Sequence, residues 1–298
     1  MKSILNFGSL NLDHVYSVEH FVKPGETLAS LGYQVFPGGK GLNQSIALSL
    51  AGGQTFHAGK VGADGLWLVD LLAEKGVDTR FVETDGQHTG HAMIQVNSKG
   101  QNCILLYGGA NAEISEAAIE KTLSHFSAGD LLVLQNEING LPFLMEKAYE
   151  KGMEIALNPS PITSELLNYP LEKVTWFLLN ELEGQTLSGK SLPNEICEAL
   201  LKKYPQSRIV LTLGKEGVLY RDSQQSFTHG IYDVPVVDTT AAGDTFTGFL
   251  LASAAQGASI PRALELASIA SSLAVSQKGA AVSIPTIQQV TASSLQLL

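Results

Sequence analysis

The sequence predicts an α/β protein with a mostly parallel sheet covered by helices on both faces. Three observations carry this. Apolar runs of strand length recur at Ile4 to Gly8, Leu131 to Gln135, Glu154 to Leu157, Thr175 to Leu179 and Ile209 to Leu213. Helix-length patterns stand between them at Ile114 to Phe126, Pro142 to Lys151, Pro193 to Tyr204 and Pro261 to Gln277. The runs carry polar residues only at their ends, as strands buried on both faces must. At 298 residues, 44% hydrophobic and with mean hydropathy +0.11, the chain can bury one large core, or a core with a lid.

Along the chain, the first run closes in "FGSLNLD", where Asn11 and Asp13 alternate onto one face at the usual place for ligand groups in open α/β sheets. Two segments then break the rhythm. "ETLASLGYQVF" (Glu26 to Phe36) reads as a strand, and "GHAMIQVNSKGQNCILLY" (Gly90 to Tyr107) reads as a hairpin folded on Ser98-Lys99-Gly100-Gln101. Together they predict a small separate sheet, a lid drawn from about 14–36 and 90–107, with glycine-dense flanks ("PGGKG" and "GGAN") able to hinge. Between them, "PGGKGLNQSIALSLAGG" sets Gly38, Gly39 and Gly41 in a turn stripped of side chains before a helix. Asn43 projects from the first turn of that helix, either as a ligand group or as a plain polar cap. Glu137 ends the run "VLQNE", and Asn180 and Glu183 end another in "LLNELE". Polar groups at successive strand ends predict one crevice.

The last distinctive stretch is "VVDTTAAGDTFTGFLLASAAQG", Val236 to Gly257. Small residues before Asp244 let backbone N–H groups at a helix start face a ligand, where the helix dipole favours an anion. Asp244 taken alone is a good helix cap. Beside an anion hole, its carboxylate can also accept a proton from a hydroxyl while the N–H groups stabilise a phosphoryl group in transfer.

Composition removes several alternatives. With 19 Lys+Arg against 29 Asp+Glu, a formal net charge of -10, and no basic cluster, nucleic acid is not an expected partner. The N-terminus turns polar after seven residues and no apolar run is long enough to span a bilayer, so a membrane is not expected and the cytoplasm is. Cys103 and Cys197 lie far apart and read as reduced thiols. His88 and His91 have a helical spacing, but "DGQHTGHAM" reads as a turn entering a strand, which favours surface histidines over a metal site. "GQTLSGKS" (Gly184 to Ser191) matches the G-x-x-x-x-G-K-[ST] phosphate loop at every position. That loop needs a strand feeding it directly, whereas here Asn180 to Glu183 intervene with negative charge. A short helix ending in a Ser-Gly turn is the better expectation.

Taken together, these residues resemble the ribokinase-like sugar kinases of the PfkB family, from the first strand to about Pro285. "GGKGLNQSIALSLAGG" and "DTTAAGDTFTGFL" are the specific motifs, supported by "NELE" as the family's N-x-x-E element and "TLGKEG" as its nucleotide loop. The ribokinase branch is nearest, through "GSLNLD", "PGGKGLNQ", "LNPSP", "AAGD" and "KGAAVSIP". The resemblance implies a three-layer α/β/α sandwich with a small β-sheet lid, and ATP-dependent phosphorylation of a sugar, D-ribose at O5 first. It implies Asp244 as general base and Ala241, Ala242 and Gly243 as the anion hole. Asn11, Asp13, Gly39, Lys40, Gly41, Asn43 and Glu137 would hold the sugar. Asn180 would meet ATP phosphates, Glu183 would act through water on Mg2+, and Thr212, Gly214, Gly217 and Ser268 would line the nucleotide. A monovalent cation, potassium, would sit among Asp238, Thr240, Ala274, Gln277, Gly279 and Ser283. The lid would also supply the contact of a homodimer.

Two positions depart from the common family choices. Leu12, between two implied sugar ligands, is bulkier than the usual alanine, and Ser268 replaces an asparagine or histidine. Deoxyribose, fructose or a nucleoside therefore stays open as substrate, with Ala92, Ile94 and Ile104 as a small apolar cover. A phosphate-loop phosphotransferase dependent on Lys190, or a non-catalytic sugar-binding protein with no need of Asp244, are the alternatives of other classes.

Overall fold

A computed structural model describes residues 2–298. The main sheet is built from β1 (Ser3–Phe7), β4 (Gln54–Gly62), β5 (Asp78–Gly86), β8 (Leu131–Gln135), β9 (Glu154–Asn158), β10 (Trp176–Asn180), β11 (Arg208–Thr212), β12 (Val218–Arg221) and β13 (Ser226–His229). Its spatial order is β13-β12-β11-β10-β9-β8-β1-β4-β5. Every pairing from β11 to β5 is parallel, and β12 and β13 add an antiparallel edge.

The continuous apolar runs have the expected cause. Alternate residues of each strand enter two cores on opposite faces: Ile4, Leu131, Val133 and Leu178 on one side, Leu5, Leu132, Leu134 and Phe177 on the other. The first face is covered by α1 (Lys40–Leu50), α2 (Leu66–Glu74), α7 (Ala242–Ala255), α8 (Ile260–Val275) and the short α9 (Ile287–Thr291). The second is covered by α3 (Glu116–Leu123), α4 (Leu141–Glu150), α5 (Glu181–Ser188) and α6 (Pro193–Lys203). The result is a three-layer α/β/α sandwich.

β1 lies inside the sheet, with β4 on one side and β8 on the other. The chain therefore changes direction of travel across the sheet between β1 and β8, which opens a crevice at their carboxyl ends.

A second sheet of order β3-β2-β6-β7 stands apart, with β2 (Asn11–Val18), β3 (Gly32–Gly38), β6 (Gly90–Asn97) and β7 (Asn102–Tyr107). Two details differ from the sequence expectation. The strand expected over Glu26 to Phe36 runs instead from Gly32 to Gly38, because the Glu26 side chain accepts the Lys23 N–H at 3.0 Å and closes a turn there. Asn11 and Asp13 open the second sheet rather than ending the first strand. Leu12 faces away from both, as strand alternation requires, and is buried in the main core.

Gly184 to Ser188 lie within α5, and Gly189 ends the helix in the left-handed conformation (φ 71°). The match to a phosphate loop is thus a helix with a glycine C-cap, and Lys190 is exposed.

Candidate active site

The carboxyl ends of β9, β10 and β11 and the first turns of α1, α5 and α7 line a cavity of about 200 Å3. Asp244, Gly243, Lys40, Asn180, Glu183 and Thr212 all line it.

Asp244 sits in the first turn of α7 and is 7% exposed. Its carboxylate is held from α1: the Asn43 amide donates to Oδ2 at 3.1 Å and the Gln44 amide donates to Oδ1 at 2.9 Å. Ala241, just before α7, has φ 60° and ψ 9°, the only positive φ at a non-glycine residue among the described residues. Left-handed geometry at alanine costs about 1 kcal/mol and marks a backbone held for a purpose. It turns the chain so that the first turn of α7 lines the cavity, and the first turn of a helix leaves donors without intrahelical acceptors. Gly243 leaves open space where a side chain would stand. Ala242 gives its N–H to Thr239 at 3.2 Å.

On the other side of Asp244, Gly39 (φ 94°) turns the chain from β3 into α1, a backbone conformation that favours glycine. The Gly41 N–H reaches the Ser9 hydroxyl at 3.2 Å, and the Lys40 N–H reaches the Glu137 carboxylate at 2.9 Å. The Ser9 hydroxyl also donates to Glu137, so the β1 and β8 ends are tied across the crevice. Burial pushes the Glu137 carboxyl above its ordinary pKa, although Ser9 and Lys40 favour its charge. Burial works against the Lys40 charge too, yet Asp244, Glu137 and Glu183 outweigh it and raise its pKa.

Asp13 is the most exceptional group. Its carboxyl lies against Gly38, where a β-carbon would come within 2.3 Å of it. Burial and the neighbouring Glu137 raise it from 3.8 to about 6. No donor among the described residues reaches it. Nearby, the buried carbonyl oxygen of Asn43 has no hydrogen-bond partner either. Asn11 is fixed by Asn111, whose amide donates to Asn11 Oδ1 at 2.7 Å, so the Asn11 NH2 is the end left to donate. Two acceptors wanting donors beside a donor suit the hydroxyls of a polyol.

On the far side of the cavity, Asn180 and Glu183 form a capping box. The Glu183 N–H donates to Asn180 Oδ1, and the Asn180 backbone and side-chain N–H groups both donate to Glu183, all at 2.9 Å. The N-x-x-E element is thus a helix start that places one carboxylate at the cavity wall. Burial raises the Glu183 pKa against the Asn180 N–H and Lys40. Gly214 and Gly217, both at positive φ, bound the turn after β11. The close approach of His229 leaves no room for a side chain at Gly217. Ser268 is buried in α8 and does not line the cavity.

Asp238 accepts the Thr240 N–H (2.9 Å) and hydroxyl (2.6 Å) on one oxygen and the Gly279 N–H (3.0 Å) on the other. Partial burial works to raise its pKa, but these bonds outweigh it and lower the value. They bring the loop before α7 against the Ala274–Ser283 segment, where the Ala274 oxygen accepts the Gln277 N–H at 3.1 Å and Ser283 donates to Ala280 at 2.9 Å.

A family model for pfkB family carbohydrate kinases matches residues 1–287. The chain belongs to the pfkB family of carbohydrate kinases. It is 33% identical to a ribokinase of Haemophilus influenzae, with 97% of each chain covered. Among solved structures, a ribokinase of Cryptococcus neoformans var. grubii in complex with ADP superposes with a TM-score of 0.84 at 30% identity, covering 98% of this chain and 99% of that one. The ribokinase of Arabidopsis thaliana complexed with ribose and ATP superposes with a TM-score of 0.83 at 28% identity, covering 97% of both. This kinase therefore transfers a phosphoryl group to an alcohol of a sugar, the chemistry for which a carboxylate beside a helix start is arranged.

Sequence reading missed the groups that hold the site rather than face it. Ser9, Gln44, Asn111, Gln135 and Asn158 are polar, wholly or largely buried, and adjacent to glycine or to a motif residue. A buried polar residue is invisible until packing shows it. The one available signal was polar residues inside otherwise apolar or glycine-rich runs, as in "VLQNE" and "GGANAE".

Proposed function

We propose that the protein phosphorylates D-ribose at O5, using ATP as donor. The observation that carries this is the pairing of Asp244, oriented at the start of α7, with Asp13, a half-buried carboxylate that has neighbours but no donors among the described residues. Ribose supplies hydroxyl donors to Asp13 and to the Asn43 oxygen. Asn11, Glu137 and the Gly39–Gly41 turn complete its seat.

Asp244 takes the proton of the O5 hydroxyl as O5 bonds to the γ-phosphorus, and the bond from that phosphorus to the β–γ bridging oxygen breaks to release ADP. N–H groups at Ala241 and Gly243 face the charge that develops on the phosphoryl oxygens, and Ala242, whose N–H is held by Thr239, shapes the turn between them. Lys40, charged among three carboxylates, offsets that charge from the cavity wall. Thr212 and the Gly214–Gly217 turn seat the nucleotide beside Asn180, with Ser268 behind them in α8.

Mg2+, when bound, would neutralise charge on the donor phosphates; Glu183, at the cavity wall, would hold it through water. A monovalent cation fits Asp238 with the oxygens of Thr240, Ala274, Gln277, Gly279 and Ser283, a hard-oxygen set with a single negative charge, and supplies fixed positive charge beside the anion hole.

The small sheet acts as a lid that excludes water from the transfer. On its Asp13 face, Phe36, Ile104 and Leu106 are exposed and apolar, and a second copy of the chain covers them in a homodimer. No helix among the described residues is long and apolar enough to cross a membrane. Two free thiols, one of them buried, suit the cytoplasm.

The test is turnover of ATP across ribose, 2-deoxyribose, fructose, other pentoses and ribonucleosides, with Mg2+ and potassium present. Ribose should give the highest kcat/KM. A clear preference for another sugar or a nucleoside overturns the substrate and keeps the chemistry, and no turnover on any of them overturns both.

A further inference from the structure

We propose that Gln44 is a positioning residue for Asp244, and that its own direction is set by a buried chain of amides behind it. The inference rests on Asp244 being the base. Gln44 has 0% exposure and cannot meet a substrate, yet it holds one of the two carboxylate oxygens at 2.9 Å.

An amide side chain can sit either way round, and only one way serves here. Turned over, Gln44 would present its oxygen to the Asp244 carboxylate and to Asn158 Oδ1, placing acceptors against acceptors. Two contacts forbid this. Behind it, the Gln135 NH2 donates to the Gln44 oxygen at 2.6 Å and to Asn6 Oδ1 at 2.9 Å. Asn6 is fixed in turn, its NH2 donating to the Gly41 carbonyl at 2.7 Å and to the Ser45 hydroxyl at 2.8 Å. Beside it, Asn158 donates to the Leu178 carbonyl at 2.9 Å, which leaves its oxygen to accept the second Gln44 N–H at 3.2 Å. The chain is therefore anchored on backbone carbonyls at both ends and has one self-consistent direction.

At the far end, Ser45 meets His57 at 2.7 Å. Burial lowers His57 to about 3, so the imidazole stays neutral and the chain keeps one protonation state through the neutral range. Fixed donors on a catalytic carboxylate hold the geometry that proton acceptance requires without contributing to sugar binding.

The experiment compares Gln44→Met and Gln135→Met with the wild type and with Asp244→Asn. It reads thermal unfolding, calorimetric ribose binding, and kcat and KM for ribose. Gln44→Met keeps volume but removes the donor. Its kcat should fall about 30-fold while KM and ribose affinity stay within about threefold, the split expected when only the transition state loses an interaction. Gln135→Met touches neither Asp244 nor the sugar, and should lower kcat about fivefold by freeing Gln44 to turn over. The double variant should be no slower than Gln44→Met alone, because both act through one contact. A folded Gln44→Met with wild-type kcat, or one whose KM rises while kcat holds, overturns the proposal. Should Gln44→Met not fold, a wild-type kcat in Gln135→Met overturns it instead. An active Asp244→Asn would be the failure of the base assignment. An inactive Asp244→Asn beside an unimpaired Gln44→Met would be the failure of this inference alone.

Discussion

Replacing Asp13 with Asn should make the protein more stable at neutral pH and much poorer at binding sugar. Burial first and the neighbouring Glu137 second raise this carboxyl from 3.8 to about 6. In the unfolded chain the same group releases its proton near pH 4. Between those values the native state holds the extra proton, so stability falls as pH rises. The favourable contribution is complete below about pH 4 and is gone once pH has passed about 6. A rise of that size corresponds to about 3 kcal/mol. Partial access of the carboxyl to solvent reduces this to about 2 kcal/mol. Asn fits the same space, carries no charge, and offers its NH2 towards Glu137. The melting temperature of Asp13→Asn without ligand should exceed that of the wild type by about 4 °C at pH 8. The difference should vanish near pH 4, where both forms are neutral. Ribose loses an ionised acceptor, worth about 3 kcal/mol, so KM should rise about a hundredfold. Scanning calorimetry from pH 4 to 8, paired with ribose titrations, measures both halves. An Asp13→Asn variant less stable than wild type at pH 8, or a gain that persists unchanged at pH 4, would refute the view that the site stores the cost of a half-buried, unpartnered charge.

Two further outcomes follow from the loops. Exchange of a large organic cation for potassium at constant ionic strength should raise wild-type kcat severalfold, and Asp238→Ala should lose that response, with about 1 kcal/mol of stability from its broken hydrogen bonds; a wild type indifferent to potassium removes the cation site. Lys190→Ala should leave kcat and the KM for ATP unchanged within about twofold, as expected of an exposed residue beyond a helix C-cap, and a large loss in a steady-state assay would restore the phosphate-loop reading.

Much of the layered fold was legible because strands buried on both faces and helices covering them leave strong periodic signals. β4 was not, since "QTFHAGKVG" mixes polar, aromatic and glycine residues; it pairs on both sides within the sheet all the same. The antiparallel strands β12 and β13 carry only four residues each, too few to show a period. Motif residues were legible where the chemistry restricts side-chain size, as at Gly38 beneath Asp13 and in the Ala241–Gly243 turn. Alternation also predicted that Asn11 and Asp13 share a face, but it could not tell that the chain had already left the main sheet. The same alternation turns Leu12 into the core, so its bulk reaches the sugar only by moving β2 itself.

The illegible part is the layer of amides that fixes the site. Gln44, Gln135, Asn6 and Asn158 come from α1, β8, β1 and β9; Gln44 and Asn158 lie in quoted motifs, yet nothing in any of the four stretches shows that their side chains meet. Each becomes necessary only once another is buried beside it, because an unpartnered buried amide costs about 1–3 kcal/mol. The two glutamines cannot therefore be judged singly. Gln135 is required because Gln44 exposes an oxygen to it, and Gln44 is required because Asp244 must be held with its lone pairs towards the cavity. A reaction that asks for one oriented carboxylate thus constrains residues two side chains away, on strands that never meet the substrate.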